Sequence, residues 1–202
     1  MGHSQADKAL SHDRILKEAA SQIRDSGLES LSVATLMRSA KLTHGAFYAH
    51  FASRADLLAH ALERALVDGR AASKAATESQ RATSHHAFVR GYLSRAHRDA
   101  RKEGCAIAAL ASDVARADQG PREVMTPHIE SLIAKMASGL EGDEDEALVA
   151  VSAMVGGLLL SRVVTDPKRS DAILRAVKNS LTARKEPPAS TPDGVCGVGG
   201  RR

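Results

Sequence analysis

Three observations predict an all-α protein, with an N-terminal three-helix bundle that contains a helix-turn-helix and a larger helical domain after it. Apolar residues recur at helical spacing, as Ile15, Ala19 and Ile23 do in the first periodic segment. No window shows the sustained alternation of apolar and polar residues that marks a β-strand. Turn-forming and capping residues separate the periodic segments at intervals typical of helix ends, which predicts about nine helices.

The composition is that of a globular protein with no strong bias toward one kind of partner. Of the 202 residues, 43% are hydrophobic and 26% are charged, and the formal net charge is +4. This charge allows an acidic partner but is small, so any contact with nucleic acid must be local. Two cysteines do not make a disulfide framework and no signal segment opens the chain, so we expect a cytoplasmic protein.

The most apolar stretch is residues 147–164, which contains serine, glycine and arginine. It falls short of the roughly 20 apolar residues that a membrane span needs. We therefore expect a buried helix and no membrane partner.

The first group of helices consists of three short ones, predicted at residues 11–26, 33–40 and 44–50. Gly27 supplies a stop for the first helix. Ser32 is placed as the N-cap of the second helix, and Thr43 can cap the third. Two short helices joined by a three-residue turn have the dimensions of a helix-turn-helix.

A longer fourth helix opens at Ser53, where the sequence SRAD fits the capping-box pattern with Asp56 in place of Glu or Gln. Its apolar stripe fades over residues 69–80, which have little to bury. A second group of helices follows from about residue 84. The first of them begins near residue 84, with Phe88 and Tyr92 on one face, and an alanine-rich helix covers 104–118. An apolar stripe from Met125 to Leu140 marks the next, and the last two are predicted near 143–164 and 167–184.

Proline and glycine predict the boundaries inside this second group. The alanine-rich helix should stop at Gly120-Pro121, and Pro127 should either kink the next helix or lie in its first turn. Asp166-Pro167 ends the apolar helix. Residues 185–202 are rich in proline and glycine and have almost nothing to bury, so we predict a disordered tail.

Three of the chain's five aromatic residues lie within five positions, at Phe47, Tyr48 and Phe51. On a helix that begins near residue 44, Phe47 and Phe51 are four apart and share one face. We expect that face to pack on Ile23, Leu36 and the Leu57 region. Tyr48 and His44 share a different and more exposed face, which a purely structural role for the rings does not explain.

At these residues the sequence resembles the DNA-binding signature of the TetR family of bacterial transcriptional regulators. The resemblance covers about 45 residues and is densest in SVATLMRSAKLTHGAFYAHFASRADLL, residues 32–58. The matching residues are Ser32, Gly45, Tyr48, His50, Phe51, Ser53, Arg54 and Leu57.

Two positions depart from the family's pattern. Lys41 stands in the turn where the family usually has glycine, and Arg54 replaces the usual lysine. Lys41 should have a positive φ, at a cost of roughly 1 kcal/mol, while its ammonium group could reach a phosphate. Arg54 keeps the positive charge and can bind phosphate through two parallel hydrogen bonds.

The resemblance implies a helix-turn-helix that binds an operator in double-stranded DNA. It implies that Ser32, Thr43, Tyr48, His50 and Arg54 contact phosphates. It implies that His44, Gly45, Ala46 and Ala49 face base edges. None of these side chains is a long bidentate base reader, so the operator sequence cannot be deduced from them.

For the remainder of the chain, the resemblance implies a homodimer and a site for a small-molecule effector. The helices near 143–164 and 167–184 are the candidates for the dimer interface, since Ala153, Gly156 and Gly157 permit close approach. The helices at 84–140 would form the sensor. The candidate ligand contacts are Phe88, Tyr92, Cys105, Leu110, Met125, Ile129 and Met136. Few fixed charges fall on these faces, so we expect a moderately hydrophobic effector.

The sequence thus predicts a ligand-responsive dimeric repressor with domains at 1–52 and 53–184 and a tail at 185–202. Two alternatives remain. Cys105 lies near Arg101 and Lys102 at a helix start, a setting that can make a thiol reactive, so a redox or electrophile sensor is possible. The chain could also be a helical interaction module without DNA binding. No motif of an enzyme, a cofactor site or a metal site is present.

Overall fold

A computed structural model describes residues 5–78 and 85–183 of the chain. The described residues form α-helices and two short 3-10 helices, and they contain no strand. The α-helices are α1 (Gln5–Ser26), α2 (Val33–Ser39), α3 (Arg54–Glu78), α4 (His85–Tyr92), α5 (Arg95–Asp99), α6 (Ala106–Arg116), α7 (Gln119–Ser138), α8 (Glu144–Val163) and α9 (Pro167–Thr182). The 3-10 helices are Leu28–Ser30 and His44–Ala49. The all-α prediction is confirmed, and the predicted tail at 185–202 lies outside the described residues.

Several helix ends follow from the capping residues that the sequence contains. The Ser32 side chain accepts a hydrogen bond from the Thr35 amide at the start of α2. At the start of α3, Ser53 Oγ accepts from the Asp56 amide at 3.0 Å, and Asp56 Oδ2 accepts from the Ala52 amide at 2.9 Å. This is a reciprocal capping pair, displaced by one residue from the usual capping box.

The predicted helix at 44–50 is a 3-10 helix over His44–Ala49. Thr43 occupies its N-cap position, but the Thr43 side chain makes no capping hydrogen bond. A six-residue segment that contains Gly45 has weak intrinsic helicity, so packing decides its geometry.

Two predicted boundaries between helices are wrong. α6 ends at Arg116, and Gly120-Pro121 lies in the first turn of α7, where proline's missing N–H costs no hydrogen bond. The segment after residue 84 is broken into α4 and α5, because Ser94 Oγ accepts from the His97 amide and caps a new helix.

The lengths of two helices also differ from the prediction. α1 begins at Gln5 instead of residue 11. α3 runs through residues 69–78, where the sequence has no apolar stripe. Alanine has the highest intrinsic helix propensity, and the alanine-rich sequence of this stretch explains its helical state.

The two phenylalanines of the helix-turn-helix lie in one hydrophobic core with the residues predicted to receive them. Phe47 and Phe51 are 3% and 2% exposed, and Ile23, Leu36 and Leu57 are fully buried in the same cluster. The cluster continues without a break into α6 and α7. A second cluster joins α4, α7, α8 and α9.

Polar links also tie the N-terminal helices to the rest of the chain. The buried Arg24 guanidinium on α1 donates from Nε to the Lys102 carbonyl and from Nη1 to the Ala65 carbonyl, the latter at 3.1 Å. Asp113 on α6 accepts a hydrogen bond from the Leu28 amide at 3.0 Å. These contacts connect α1 to α3 and to the turn that precedes α6.

The helix α8 combines a buried face and an exposed apolar face. Its length and composition are sufficient to cross a membrane, but core helices of soluble proteins often meet the same two criteria. Its buried residues, which include Ala147, Met154 and Leu158, pack in the second hydrophobic cluster. On the other side, Val149, Leu160 and Val163 are 66%, 56% and 68% exposed.

Candidate nucleic-acid interface and ligand cavity

The His44–Ala49 helix presents Tyr48 to the outside of the protein. Tyr48 is 70% exposed, whereas its neighbour Phe47 is buried. The two rings meet edge to face with centroids 5.2 Å apart. Because Phe47 and Phe51 hold the inner side of this segment, the tyrosine hydroxyl is directed to solvent.

Most of the predicted DNA contacts are exposed. The exposed ones are Ser32, Lys41, Thr43, His44, Gly45, Tyr48, Ala49 and Arg54, and the half-buried ones are Ala46 and His50. A Cβ atom added to Gly45 would meet no atom of the described protein within 4 Å. The surface around Gly45 is therefore open to a bulky partner such as a duplex.

The turn between α2 and the His44–Ala49 helix contains the backbone conformation predicted for it. Lys41 has a φ of 58°. The Leu42 amide donates to the Met37 carbonyl at 2.8 Å, and the Lys41 amide donates to the Arg38 carbonyl at 3.0 Å. This is the Schellman closure of a helix, with lysine at the position that glycine usually takes.

Two contacts hold part of the Arg54 guanidinium in place. Its Nε donates to the Leu31 carbonyl at 3.3 Å, and its Nη2 lies 3.7 Å from a Glu29 carboxylate oxygen. The side chain is nevertheless 46% exposed. Arg54 thus anchors α3 to the segment before α2 while part of its guanidinium faces solvent.

His50 is turned further inward than the prediction assumed. Its ring centroid lies 5.8 Å from that of His12, which stacks on Phe51 at 4.8 Å. Its Nδ1 is buried and has no hydrogen-bond partner among the described residues. Burial lowers the pKa of His50, and the neighbouring His12 and Lys8 lower it further. His50 therefore tends to be neutral, which leaves little charge for a phosphate.

A cavity of about 470 Å³ lies between α3, α4, α6 and α7. The residues that line it are Leu66, Gly69, Arg70, Ala71, Phe88, Tyr92, Cys105, Ala106, Ile107, His128, Ser131, Leu132 and Lys135. Of the predicted ligand contacts, Phe88, Tyr92 and Cys105 are among them. Leu110, Met125 and Met136 are almost fully buried in the hydrophobic core, and Ile129 packs against it.

The cavity wall also contains polar residues that the sequence analysis missed. His128, Ser131 and Lys135 recur at helical spacing on α7, on a different face from Met125, Ile129 and Met136, which the sequence suggested as ligand contacts. The sequence signal that could have identified these residues is a second row of side chains on α7, of mixed polarity and at helical spacing. It carries no information until a neighbouring helix is known to face it.

His128 is held at the cavity wall by a partner on α3. Its side chain is 8% exposed, and its Nε2 lies 2.9 Å from Glu63 Oε2. An ionised carboxylate only accepts hydrogen bonds, so Nε2 carries the hydrogen that is shared with Glu63. His128 Nδ1 is buried and has no hydrogen-bond partner among the described residues, a state that costs about 1–3 kcal/mol.

Cys105 lies in a hydrogen-bonded group at the start of α6. The Tyr92 hydroxyl donates to Cys105 Sγ at 3.3 Å, and the Cys105 amide donates to His97 Nε2 at 3.0 Å. His97 Nδ1 must then be the protonated nitrogen, and it donates to the Tyr92 carbonyl at 2.7 Å. Burial raises the pKa of Tyr92 and lowers that of His97, so both groups are neutral.

Comparison with known proteins gives a family match for the N-terminal part of the chain. Residues 15–61 match the model of the bacterial regulatory proteins of the tetR family. No curated protein sequence matches the chain.

Solved structures share the fold over most of its length. A TetR-family transcriptional regulator from Cytophaga hutchinsonii superposes with a TM-score of 0.71 at 16% identity, covering 90% of this chain and 96% of that one. E. coli NemR in its reduced form gives 0.70 at 16% identity, covering 85% and 95%. The multidrug binding protein EbrR, complexed with proflavin, gives 0.59 at 19% identity, covering 84% and 98%. Residues 15–61 are thus similar to the bacterial regulatory proteins of the tetR family, and the described chain shares its fold with solved TetR-family regulators.

Proposed function

We propose that the protein is a ligand-responsive dimeric repressor, which binds a palindromic operator through its helix-turn-helix and is released by a small-molecule effector. The exposed Tyr48, set beside two buried phenylalanines, carries the proposal. A ring of this size is costly to leave in water and useful against a DNA backbone. The protein would act in the cytoplasm and without catalysis.

In this proposal the polar groups around Tyr48 position the duplex. Ser32, Thr43 and Tyr48 would donate hydroxyl hydrogens to phosphates, and Lys41 and Arg54 would add positive charge. His44, Gly45, Ala46 and Ala49 would approach the base edges. His50 would contribute mainly by packing, because its ring is turned toward His12 and Phe51.

The exposed face of α8 supports a dimer. Val149, Ser152, Gly156, Leu160 and Val163 recur at helical spacing along it, opposite the buried face. A Cβ on Gly156 would meet no described atom within 4 Å, whereas one on Gly157 would lie 3.1 Å from Val177. Gly157 therefore serves the packing of α8 on α9, and Gly156 stays open for a partner. Two subunits would bring two recognition segments to half-sites about 34–36 Å apart.

The helix α3 would transmit ligand binding to the DNA-binding unit. It begins at Arg54, beside the recognition segment, and it contributes Leu66, Gly69 and Arg70 to the cavity. A ligand that binds better to one tilt of α3 than to another shifts the population between them. In a dimer that shift changes the spacing of the two helix-turn-helix units. The proposed boundary between the DNA-binding domain (1–52) and the sensor domain (53–184) lies at this junction.

A second candidate function is a thiol-based sensor that uses Cys105. The Cys105 side chain lines the cavity at the start of α6, so an electrophile inside the cavity could reach it. The sulfur would add to the electrophilic carbon of a conjugated carbon–carbon double bond, which opens as the C–S bond forms. The thiol proton would end on the adjacent carbon of the opened double bond.

Replacing Tyr48 by alanine should weaken binding to DNA from upstream of the protein's own gene and to a random duplex alike. The lost hydrogen bond to phosphate predicts about a tenfold effect, since bonds to charged groups contribute about 1.5–3 kcal/mol. Fluorescence anisotropy at one fixed salt concentration measures both affinities. Tyr48→Phe separates the hydroxyl from the ring, and Val67→Ala on α3 is the control.

An altered sequence preference at unchanged affinity would refute the phosphate role of Tyr48. If the wild-type protein bound neither duplex, the chain would instead be a helical interaction module.

Replacing Lys41 by glycine should raise stability while lowering DNA affinity. Glycine adopts a positive φ without strain, so the free energy of unfolding of Lys41→Gly should be about 1 kcal/mol higher than that of Lys41→Ala. Both variants lose the ammonium group and should bind random DNA more weakly than wild type. Urea denaturation and anisotropy are the measurements.

Glu141 supplies a matched control, because its φ is also 58° and the Gly142 amide donates to the Ala137 carbonyl at 2.9 Å. Glu141→Gly should gain the same stability over Glu141→Ala with no change in DNA binding. If the Glu141 variants also lost DNA affinity, the loss seen in the Lys41 variants could not be assigned to removal of the Lys41 ammonium group.

Replacing Leu160 by aspartate should separate the dimer. A carboxylate in the centre of an apolar interface must be desolvated, which costs several kcal/mol. Analytical ultracentrifugation should show a monomer, and the circular dichroism spectrum should show wild-type helicity. The affinity for the operator should fall by more than the tenfold expected for a single contact. Leu10→Asp is the control, since Leu10 is 65% exposed on α1. A Leu160→Asp dimer would place the interface elsewhere.

Changing Cys105 to serine separates the two candidate modes of sensing. If the thiol is the sensor, N-ethylmaleimide should release operator DNA from a Cys196→Ser protein but not from a Cys105→Ser/Cys196→Ser protein. The reagent's effect on anisotropy is the measurement, with mass spectrometry to count the modified thiols. Equal release from both proteins, or modification of Cys105 without release, would reject the thiol sensor.

A further inference from the structure

The wall of the cavity contains a buried nitrogen that has no hydrogen-bond partner among the described residues. This atom is Nδ1 of His128 on α7. Other polar side chains of the wall are already paired, since Arg70 Nη1 donates to Ser131 Oγ at 3.0 Å. The Tyr92 hydroxyl likewise donates to Cys105 Sγ. A ligand that satisfied His128 Nδ1 would recover the free energy that the burial of this atom costs.

The unpartnered nitrogen accepts a hydrogen bond and does not donate one. His128 Nε2 lies 2.9 Å from Glu63 Oε2 and donates to that carboxylate. In a neutral imidazole only one nitrogen carries a hydrogen, so Nδ1 presents a lone pair. Glu63 thus selects the tautomer, and the group on a ligand that matches Nδ1 is a hydroxyl or an N–H.

The surroundings of His128 are apolar. Its side chain is 8% exposed, and Leu66, Phe88 and Ile107, which line the same cavity, are buried. A hydrogen bond is stronger in such a low dielectric than in water. A charged donor would lose its hydration there, so a neutral donor is favoured. The cavity volume of about 470 Å³ leaves room for an apolar body beside the donor.

A ligand reaches Nδ1 when the imidazole ring turns. The nitrogen is covered in the structure, but rotation about the Cβ–Cγ bond of a histidine has a broad energy profile. The Glu63 carboxylate can follow Nε2, because its side chain is 52% exposed on α3. A donor at Nδ1 would polarise the imidazole and strengthen the hydrogen bond from Nε2 to Glu63. Ligand binding at α7 would thereby act on α3.

We propose that the effector is an uncharged, mainly apolar molecule with a hydroxyl group, such as a phenol or an alcohol, which donates a hydrogen bond to His128 Nδ1. The proposal rests on the regulator function only for the consequence of binding. It specifies the moderately hydrophobic effector expected from the sequence by adding a required hydrogen-bond donor.

The test uses the full chain and pairs of ligands matched in size, of which one member lacks the donor. The aliphatic pair is octanol and its isomer heptyl methyl ether, and the aromatic pair is naphthol and methoxynaphthalene. Isothermal titration calorimetry at about pH 8, where imidazole is neutral, measures each affinity. In at least one pair the hydroxyl compound should bind about tenfold or more tightly, the order expected when a buried acceptor gains its partner.

Variants of His128 show whether this preference comes from the assigned residue. His128→Phe keeps a ring without an acceptor and should bind both members of each pair alike. His128→Asn brings its side-chain oxygen near the position of Nδ1 and should keep part of the preference. His60→Phe makes the same exchange at an exposed position of α3 outside the cavity and should leave the preference unchanged. Circular dichroism establishes that the variants are folded.

Nitrogen NMR of the wild-type protein gives a second and more direct measurement. The Nδ1 resonance of His128 is identified by its absence from the spectra of the variants. It should move toward the position of a protonated nitrogen when the hydroxyl compound binds, because the lone pair then accepts a hydrogen bond. The matched ether should leave the resonance in place.

Four results would overturn the proposal: equal affinities within both pairs, no hydroxyl compound binding below about 1 mM, a full preference in His128→Phe, or an unmoved Nδ1 resonance. Anisotropy with DNA then tests the regulator function independently. Hydroxyl compounds that bind with the predicted preference but leave DNA affinity unchanged would refute ligand-controlled release, while the assigned ligand class would stand.

Discussion

Two buried phenyl rings determine the geometry of the helix-turn-helix. Phe47 on the short His44–Ala49 helix and Phe51 just after it insert into a core formed with Ile23, Leu36 and Leu57. A helix of this length has almost no stability of its own, since nucleation costs more than its few hydrogen bonds return. Its orientation is therefore set by the rings, and the exposure of Tyr48 is a consequence of that packing. The positive φ of Lys41 is maintained by the same constraint, because the turn must deliver both rings to the core.

The N-terminal unit was the part of the fold that could best be predicted from the sequence. Its information is local: ring spacing, a serine N-cap and a glycine stop act over a few residues, and the structure confirms Ser32, Phe47 and Phe51 in these structural roles. The 3-10 geometry at His44–Ala49 was missed because it depends on packing and not on propensity. The proline at position 121 misled the prediction, since proline is as compatible with a first helical turn as with a helix end.

The cavity was harder to predict because it depends on which helix faces which. Its wall combines Leu66 and Arg70 from α3 with His128 and Lys135 from α7, about sixty residues away in the sequence. Apolar periodicity identified the α7 face that enters the core. It could not identify the mixed face, because polar residues at helical spacing normally face solvent. Phe88, Tyr92 and Cys105 line the cavity because they lie where α4 and the start of α6 meet α3.

The cavity and the helix-turn-helix share structural supports, which gives the proposed regulation a physical route. Glu63 on α3 is paired with His128 at the cavity wall, and Arg24 on α1 binds the Lys102 carbonyl in the turn that leads to Cys105. The backbone at Gly104 lies so close to Gly69 that an added Cβ would meet the Gly104 carbonyl oxygen at 2.9 Å. A ligand that displaces α3 from this turn must therefore also strain the Arg24 contacts, because that guanidinium binds both sides of the junction. A displacement of α3 at the cavity is therefore coupled to the orientation of α1 through these hydrogen bonds.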